Sequence, residues 1–173
     1  MSITNDVNTQ RIIKAILNTN KNDHLFIDNI LASIDSIEYL HLLGGETFLQ
    51  HDLMTSVIDI LERHPTPELE LCVFSNLNVP DRYWNLYTAR IHNLYLNKNI
   101  KCFDLTASID CWGPEIEYVR DGTDLIQWET NMNTLLNYPD ISISIHATLT
   151  ALTLVTFYQL IEKVIEWRNK HTL

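Results

Sequence analysis

The stretch Tyr39-Leu40-His41-Leu42-Leu43-Gly44-Gly45-Glu46 is an apolar run of strand length that breaks into two glycines and then a carboxylate. A nearly continuous apolar run is the pattern of a buried strand in a parallel sheet, and here it extends over Ile37 to Leu43. Glycines lack a Cβ, so the pair lets the strand end turn sharply and brings the backbone close to a ligand. Glu46 adds an acceptor-only carboxylate suited to an ammonium or hydroxyl donor. In α/β proteins ligands sit at the carboxyl ends of strands, so the stretch reads as a binding edge.

Outward from this strand the chain alternates. Toward the C-terminus the patterns predict a helix over residues 52–63, a strand over 69–74 and a helix over 81–96, then a strand over 101–109. A helix over 125–136, a strand over 141–149 and a closing helix over 154–170 follow. Pro65, Pro67, Pro80 and Pro139 punctuate the connections. Toward the N-terminus, residues 10–17 have apolar positions at helical spacing, residues 18–23 are a polar break, and a short helix covers 25–32, with Asp23 as its cap. The expectation is one α/β domain over residues 1–173: an N-terminal helical segment over 1–35 with two helices, then a partial (βα) barrel of about four parallel strands with outer helices.

Composition bounds the function. The chain has 173 residues, 46% of them hydrophobic, and only four glycines, enough apolar content for a core. A net charge of −10 disfavours a nucleic-acid phosphate surface and an anionic membrane. The first residues lack a basic flank and an apolar segment, and no stretch approaches the roughly 18 apolar residues that span a bilayer. Three scattered cysteines, Cys72, Cys102 and Cys111, fit a reducing compartment, so a soluble cytoplasmic protein is expected.

Each predicted strand ends in polar residues: Gly44-Gly45-Glu46, Ser75-Asn76, Ser108-Ile109-Asp110 and His146-Ala147-Thr148. On one rim these look like an active-site face, although polar residues also simply mark where a buried strand meets solvent. Several stretches resemble the radical S-adenosylmethionine enzymes, in particular those with a twitch or SPASM auxiliary domain. Gly44-Gly45-Glu46-Thr47 resembles their Gly-Gly-Glu-Pro after the second strand, and Val73-Phe74-Ser75-Asn76-Leu77 their third-strand Ser/Thr-Asn-Gly, with Leu77 in place of glycine. Ala107-Ser108-Ile109-Asp110-Cys111-Trp112-Gly113 is similar to their fourth-strand Ser-Leu-Asp-Gly. Residues 118–123 are similar to the Arg-Gly turn before the next helix, and residues 131–136 to that helix. Together the similarity covers about residues 36–150.

The resemblance implies a [4Fe–4S] cluster held by three thiolates, one open iron for the methionine end of S-adenosylmethionine, and a 5′-deoxyadenosyl radical. It would place Gly44, Gly45 and Glu46 on the substrate ammonium and Ser108 and Asp110 on its carboxylate or ribose, with Ser75, Asn76 and Thr148 on the same rim. Each carboxylate also has an ordinary reading. Glu46 sits where a helix dipole favours an anion, and Asp110 could cap the Trp112-Gly113 loop or pair with Arg120.

The departure is in the cluster ligands. The family's Cys-x-x-x-Cys-x-x-Cys lies upstream of the Gly-Gly-Glu region, and residues 1–40 contain no cysteine. A cluster needs several converging thiolates, so no cofactor is expected in this chain. Cys72 and Cys102 read as core residues, and only Cys111 falls near the rim. His41, His51 and His146 lack zinc-site spacing, and His41 reads as a core histidine. Tyr83, Trp84 and Tyr87 form a helical stripe that reads as packing. The expected protein is therefore a truncated or degenerate radical S-adenosylmethionine-like domain without its own radical chemistry, retaining part of a binding rim for a small molecule. Its first strand would be missing. An open half-barrel invites a partner, either a second copy or the missing barrel segment, unless the N-terminal helices close it. A self-associating interaction module and a cluster-independent enzyme using Glu46 and Asp110 as acid and base are the alternatives.

Overall fold

The computed structural model describes residues 12–17 and 23–171. Strands β1 (Ile12–Leu17), β2 (Tyr39–Gly44), β3 (Glu70–Ser75), β4 (Cys102–Ser108) and β5 (Ile141–His146) form one parallel sheet in sequential order. Between and after them run α1 (Asp23–Ser33), α2 (His51–Arg63), α3 (Asp81–Leu96), α4 (Glu115–Val119), α5 (Leu125–Leu135) and α6 (Phe157–His171). Parallel neighbours in chain order need one-handed crossovers, which put the helices on one side. The sheet does not close, so the architecture is a partial βα barrel, and among the described residues no helix is long and apolar enough to cross a membrane.

The four predicted strands and the helices after them form close to their expected limits, because their apolar periodicities are long enough to be distinctive. α2 presents Leu53, Met54, Val57, Ile58, Ile60 and Leu61 to the core, with Asp52 and Arg63 at the ends that suit the helix dipole. α5 starts at Asp124, whose side chain accepts the Gln127 N–H at 3.0 Å.

Three expectations need correction. The segment read as an opening helix is β1, paired with β2 from Ile12 opposite Tyr39 to Leu17 opposite Gly44. Six residues carrying β-branched Ile12, Ile13 and Ile16 satisfy either period, and the exposed edge of β2 offers a full ladder that an isolated short helix does not. So no strand is missing before Gly44-Gly45-Glu46, and residues 1–35 are not a purely helical segment; the polar break at 18–22 lies outside the described residues. Nor, among the described residues, do N-terminal helices close the open side: Ile30 of α1 and Ile34 just beyond it enter the same core as α2 and α3.

The third correction concerns the sheet faces. Leu40 and Leu42, Leu71 and Val73, and Phe103, Leu105 and Ala107 are buried under the helices. The alternate residues Tyr39, His41, Cys72, Phe74, Cys102, Asp104, Thr106 and Ser108 are only half-buried. Cys72, Cys102 and His41 are therefore not core residues but lie on a sheet face left uncovered among the described residues, the inner face of the open barrel. Trp84 and Tyr87 do pack in the core as expected, with Trp84 edge-on to Phe48 at 4.9 Å.

Candidate functional site

Parallel strands put all the predicted strand-end segments on one C-terminal edge, but their side chains fall into two separate clusters. The first ties β2 to β3. Glu46 leaves the glycine turn and caps the short helix at Thr47–Leu49, accepting the Phe48 N–H at 3.1 Å. The same carboxylate accepts the Asn76 N–H at 2.7 Å and the Ser75 hydroxyl at 2.9 Å. Ser75 in turn accepts the Leu77 N–H at 2.9 Å, and the Thr47 hydroxyl donates to the Phe74 carbonyl at 3.1 Å. Burial pushes the Glu46 carboxyl above its usual range, with the Asn76, Phe48 and Ser75 donors pulling it back only in part. Gly45 stands exposed on the same turn, and a Cβ there would meet nothing within 4 Å.

Leu77 sits where the resembled family has glycine, and its φ of +57° is the backbone conformation that glycine serves. Buried Asn131 holds it there, donating from Nδ2 to the carbonyls of Leu77 at 2.7 Å and Val79 at 2.8 Å. The Asn76 side chain closes a local turn by accepting the Asn78 N–H at 2.9 Å.

The second cluster follows β4. Asp110, buried, takes a two-pronged bond from Arg120, at 2.6 Å from Nε and 3.0 Å from Nη2, and accepts the Thr148 N–H at 2.7 Å. Burial raises this carboxyl, but the Arg120 bonds and charge with the Thr148 N–H outweigh it and hold it below the usual range. Thr148 thus contributes its backbone to the cluster. Gly113 turns the chain at φ +106°, where a Cβ would come within 2.9 Å of Glu115 Oε2 and 3.1 Å of Gln159 Oε1. Ser108 belongs to neither cluster: its side chain is on the open face, in register with His146, while its carbonyl accepts the Trp128 Nε1–H at 3.3 Å.

Chemically, Glu46 and Asp110 are both occupied within the protein, one by backbone and hydroxyl donors and the other by a guanidinium. An acid-base pair needs groups within reach of a substrate proton, and neither carboxylate stands free for it. The Gly44–Gly45 turn and the Ser108 side chain lie at the same edge outside both clusters. Asn131 was the site residue that sequence reasoning missed. Its one signal is an amide on the otherwise apolar buried face of α5.

At the opposite edge, before β2 and β3, Ile37, Glu38, Arg63, His64, Pro65 and Pro67 line a cleft of about 580 Å³, away from the predicted residues. No protein-family model, curated protein or solved structure matches this chain.

Proposed function

We propose that this protein is a degenerate radical S-adenosylmethionine-like domain: a cluster-free partial barrel that binds the amino-acid end of an adenosylated sulfonium nucleotide at its rim without generating a radical. The observation that carries the reading is the order of the edge. Gly44-Gly45-Glu46 follows the second strand, Ser75-Asn76 the third and Ser108 to Asp110 the fourth, the succession the resemblance implies. The left-handed backbone at Leu77, in the position of a family glycine, supports it independently. Because β1 precedes the glycine turn and the residues between β1 and α1, Asn18-Thr19-Asn20-Lys21-Asn22, include no cysteine, degeneration of the cluster loop accounts for the sequence better than loss of the strand.

In this reading the Gly44 and Gly45 backbone faces the ligand ammonium and Ser108 the carboxylate or ribose, while Glu46, Ser75, Asn76, Asp110 and Thr148 shape the edge. Titration calorimetry of the full chain with S-adenosylmethionine, and with S-adenosylhomocysteine as its uncharged-sulfur analogue, tests it. Saturable binding that disappears in Gly45→Leu, at unchanged melting temperature, is the expected result, because the side chain enters open space. Absence of saturable binding by either nucleotide rejects the reading.

A second reading, a non-catalytic half-barrel that self-associates, draws on the open sheet face and on the exposed apolar residues Leu152, Leu154, Val155, Tyr158, Ile161 and Ile165 at the C-terminal end. A light-scattering mass of twice the monomer, unaltered by the nucleotide, favours it.

A further inference from the structure

On the open face, at the end of the sheet remote from the rim, β3 and β4 set two thiols and two carboxylates in a checkerboard. Glu70 pairs in register with Cys102, and Cys72 with Asp104. One ligand atom each of Glu70, Cys102 and Asp104 lies within 4.8 Å of the others. The Cys72 thiol donates to Asp104 Oδ2 at 3.9 Å, so it adds a fourth donor beside the same carboxylate. Donor atoms around a tetrahedral zinc-class ion stand roughly 3.3–3.8 Å apart, a contraction of about 1 Å from this spacing.

The charges at this block are unbalanced. Among the described residues, Glu70 has an ion-pair partner in Lys101 at 2.7 Å, whereas half-buried Asp104 has no basic group within ion-pair distance. A carboxylate partly removed from water without a counter-charge favours a cation.

We propose that Cys102, Asp104 and Glu70, with Cys72 as the fourth donor, form a binding site for one borderline-soft divalent cation of the zinc class. Mixed thiolate and carboxylate donors on a rigid parallel ladder suit such an ion, whereas magnesium or calcium would want oxygen alone. Binding displaces the Cys102 and Cys72 thiol protons to solvent and releases the Lys101 ammonium from Glu70; Lys101 is more than half exposed and swings away into solvent. The site is independent of the rim, at the other end of the strands.

Cobalt(II) titration of the full reduced chain under anaerobic conditions tests the site. The expected result is a thiolate-to-cobalt charge-transfer band saturating at one equivalent and bleached by zinc(II). Cys102→Ser and Asp104→Asn should lose it, and Cys111→Ser, altered at a buried thiol elsewhere, should keep it. Lys101→Met removes the competing cation without touching a donor, so it should tighten cobalt binding several-fold. Failure to see the band, its survival in Cys102→Ser, or unchanged affinity in Lys101→Met overturns the site. The last comparison stands even where a donor variant does not fold.

Discussion

Asn131 donates from one amide nitrogen to the carbonyl of Leu77 at 2.7 Å and to that of Val79 at 2.8 Å, and Leu77 between the strand and α3 is held at φ +57°. A left-handed conformation costs a leucine about 1–2 kcal/mol, so something must over-determine it. The Ser75 hydroxyl accepting the Leu77 N–H, complete burial of the leucine side chain and the Asn131 amide together do so.

The first prediction concerns the sign of a comparison. In ordinary strand or helix positions alanine is more stable than glycine by about 0.5–1 kcal/mol. At residue 77 the order should invert, with Leu77→Gly about 1 kcal/mol more stable than Leu77→Ala, because only glycine adopts this φ freely. Both should fall below the parent by about 2–5 kcal/mol through loss of the buried side chain. Urea denaturation of the two variants side by side decides it; alanine at or above glycine would mean that the loop relaxes out of the left-handed region.

Asn131→Ala should cost about 3 kcal/mol, because two buried carbonyls lose their donor at once. Asn131→Asp should be worse, replacing the donor with a carboxylate aimed at carbonyl oxygens. A melting curve for each checks the order.

The two rim carboxylates should show opposite pH dependence. Asp110 is held below its usual range, so its folded form keeps the charge that the unfolded chain gives up first. Its contribution is present above the ordinary aspartate range and is lost as pH falls through that range toward the lowered value. Asp110→Asn should therefore cost about 3 kcal/mol at neutral pH, with the gap to the parent narrowing on acidification.

For Glu46 the sign reverses. Its carboxyl is raised, so the folded protein takes up the proton before the unfolded chain does, and stability from this group is full below the ordinary glutamate range and declines as pH rises toward the raised value. Glu46→Gln places an amide donor against the Asn76 or Phe48 N–H, costing about 1–3 kcal/mol. The gap between parent and Glu46→Gln should be widest in acid and shrink as pH rises, which denaturation at a series of pH values reads directly.

Much of this arrangement was legible because periodicity and strand-end polarity are local. The stretch from Tyr39 to Glu46 announces both a strand and a turn, and Asp81 to Leu96 forms a helix at its expected limits. Pairing of Asp110 with Arg120 was legible as one alternative, since the two are ten residues apart and opposite in charge. β1 was not, because Ile12 to Leu17 is too short for its spacing to choose a period and the choice is made by the edge of β2. An open half-barrel was expected from the strand count, but which residues face it was not legible: Cys72, Phe74 and Cys102 are as apolar as core residues, and a histidine inside an apolar run reads as a buried one. What Glu46 and Asn131 bond is mostly backbone, which leaves no mark on the sequence thirty or more residues away.

The last prediction concerns how α6 is attached. Only Leu160 and Trp167 of this helix are buried, and Trp167 stacks on Trp128 at 5.9 Å and meets Trp112 edge-on at 5.4 Å. Lys163 lies 5.5 Å from the rings of Trp112 and Trp167 and ion-pairs with Glu129 at 2.7 Å, fastening the same seam. Removal of a buried tryptophan costs about 3–5 kcal/mol. With so few buried anchors, that loss should release the helix before it unfolds the sheet. In Trp167→Ala, hydrogen exchange should show α6 amides unprotected while β3 and β4 amides keep their protection, and Trp128 fluorescence should shift toward that of a wetter indole. Uniform loss of protection would instead make α6 an integral part of the folding unit, with the tryptophan seam as much a part of the core as the leucines beneath the sheet.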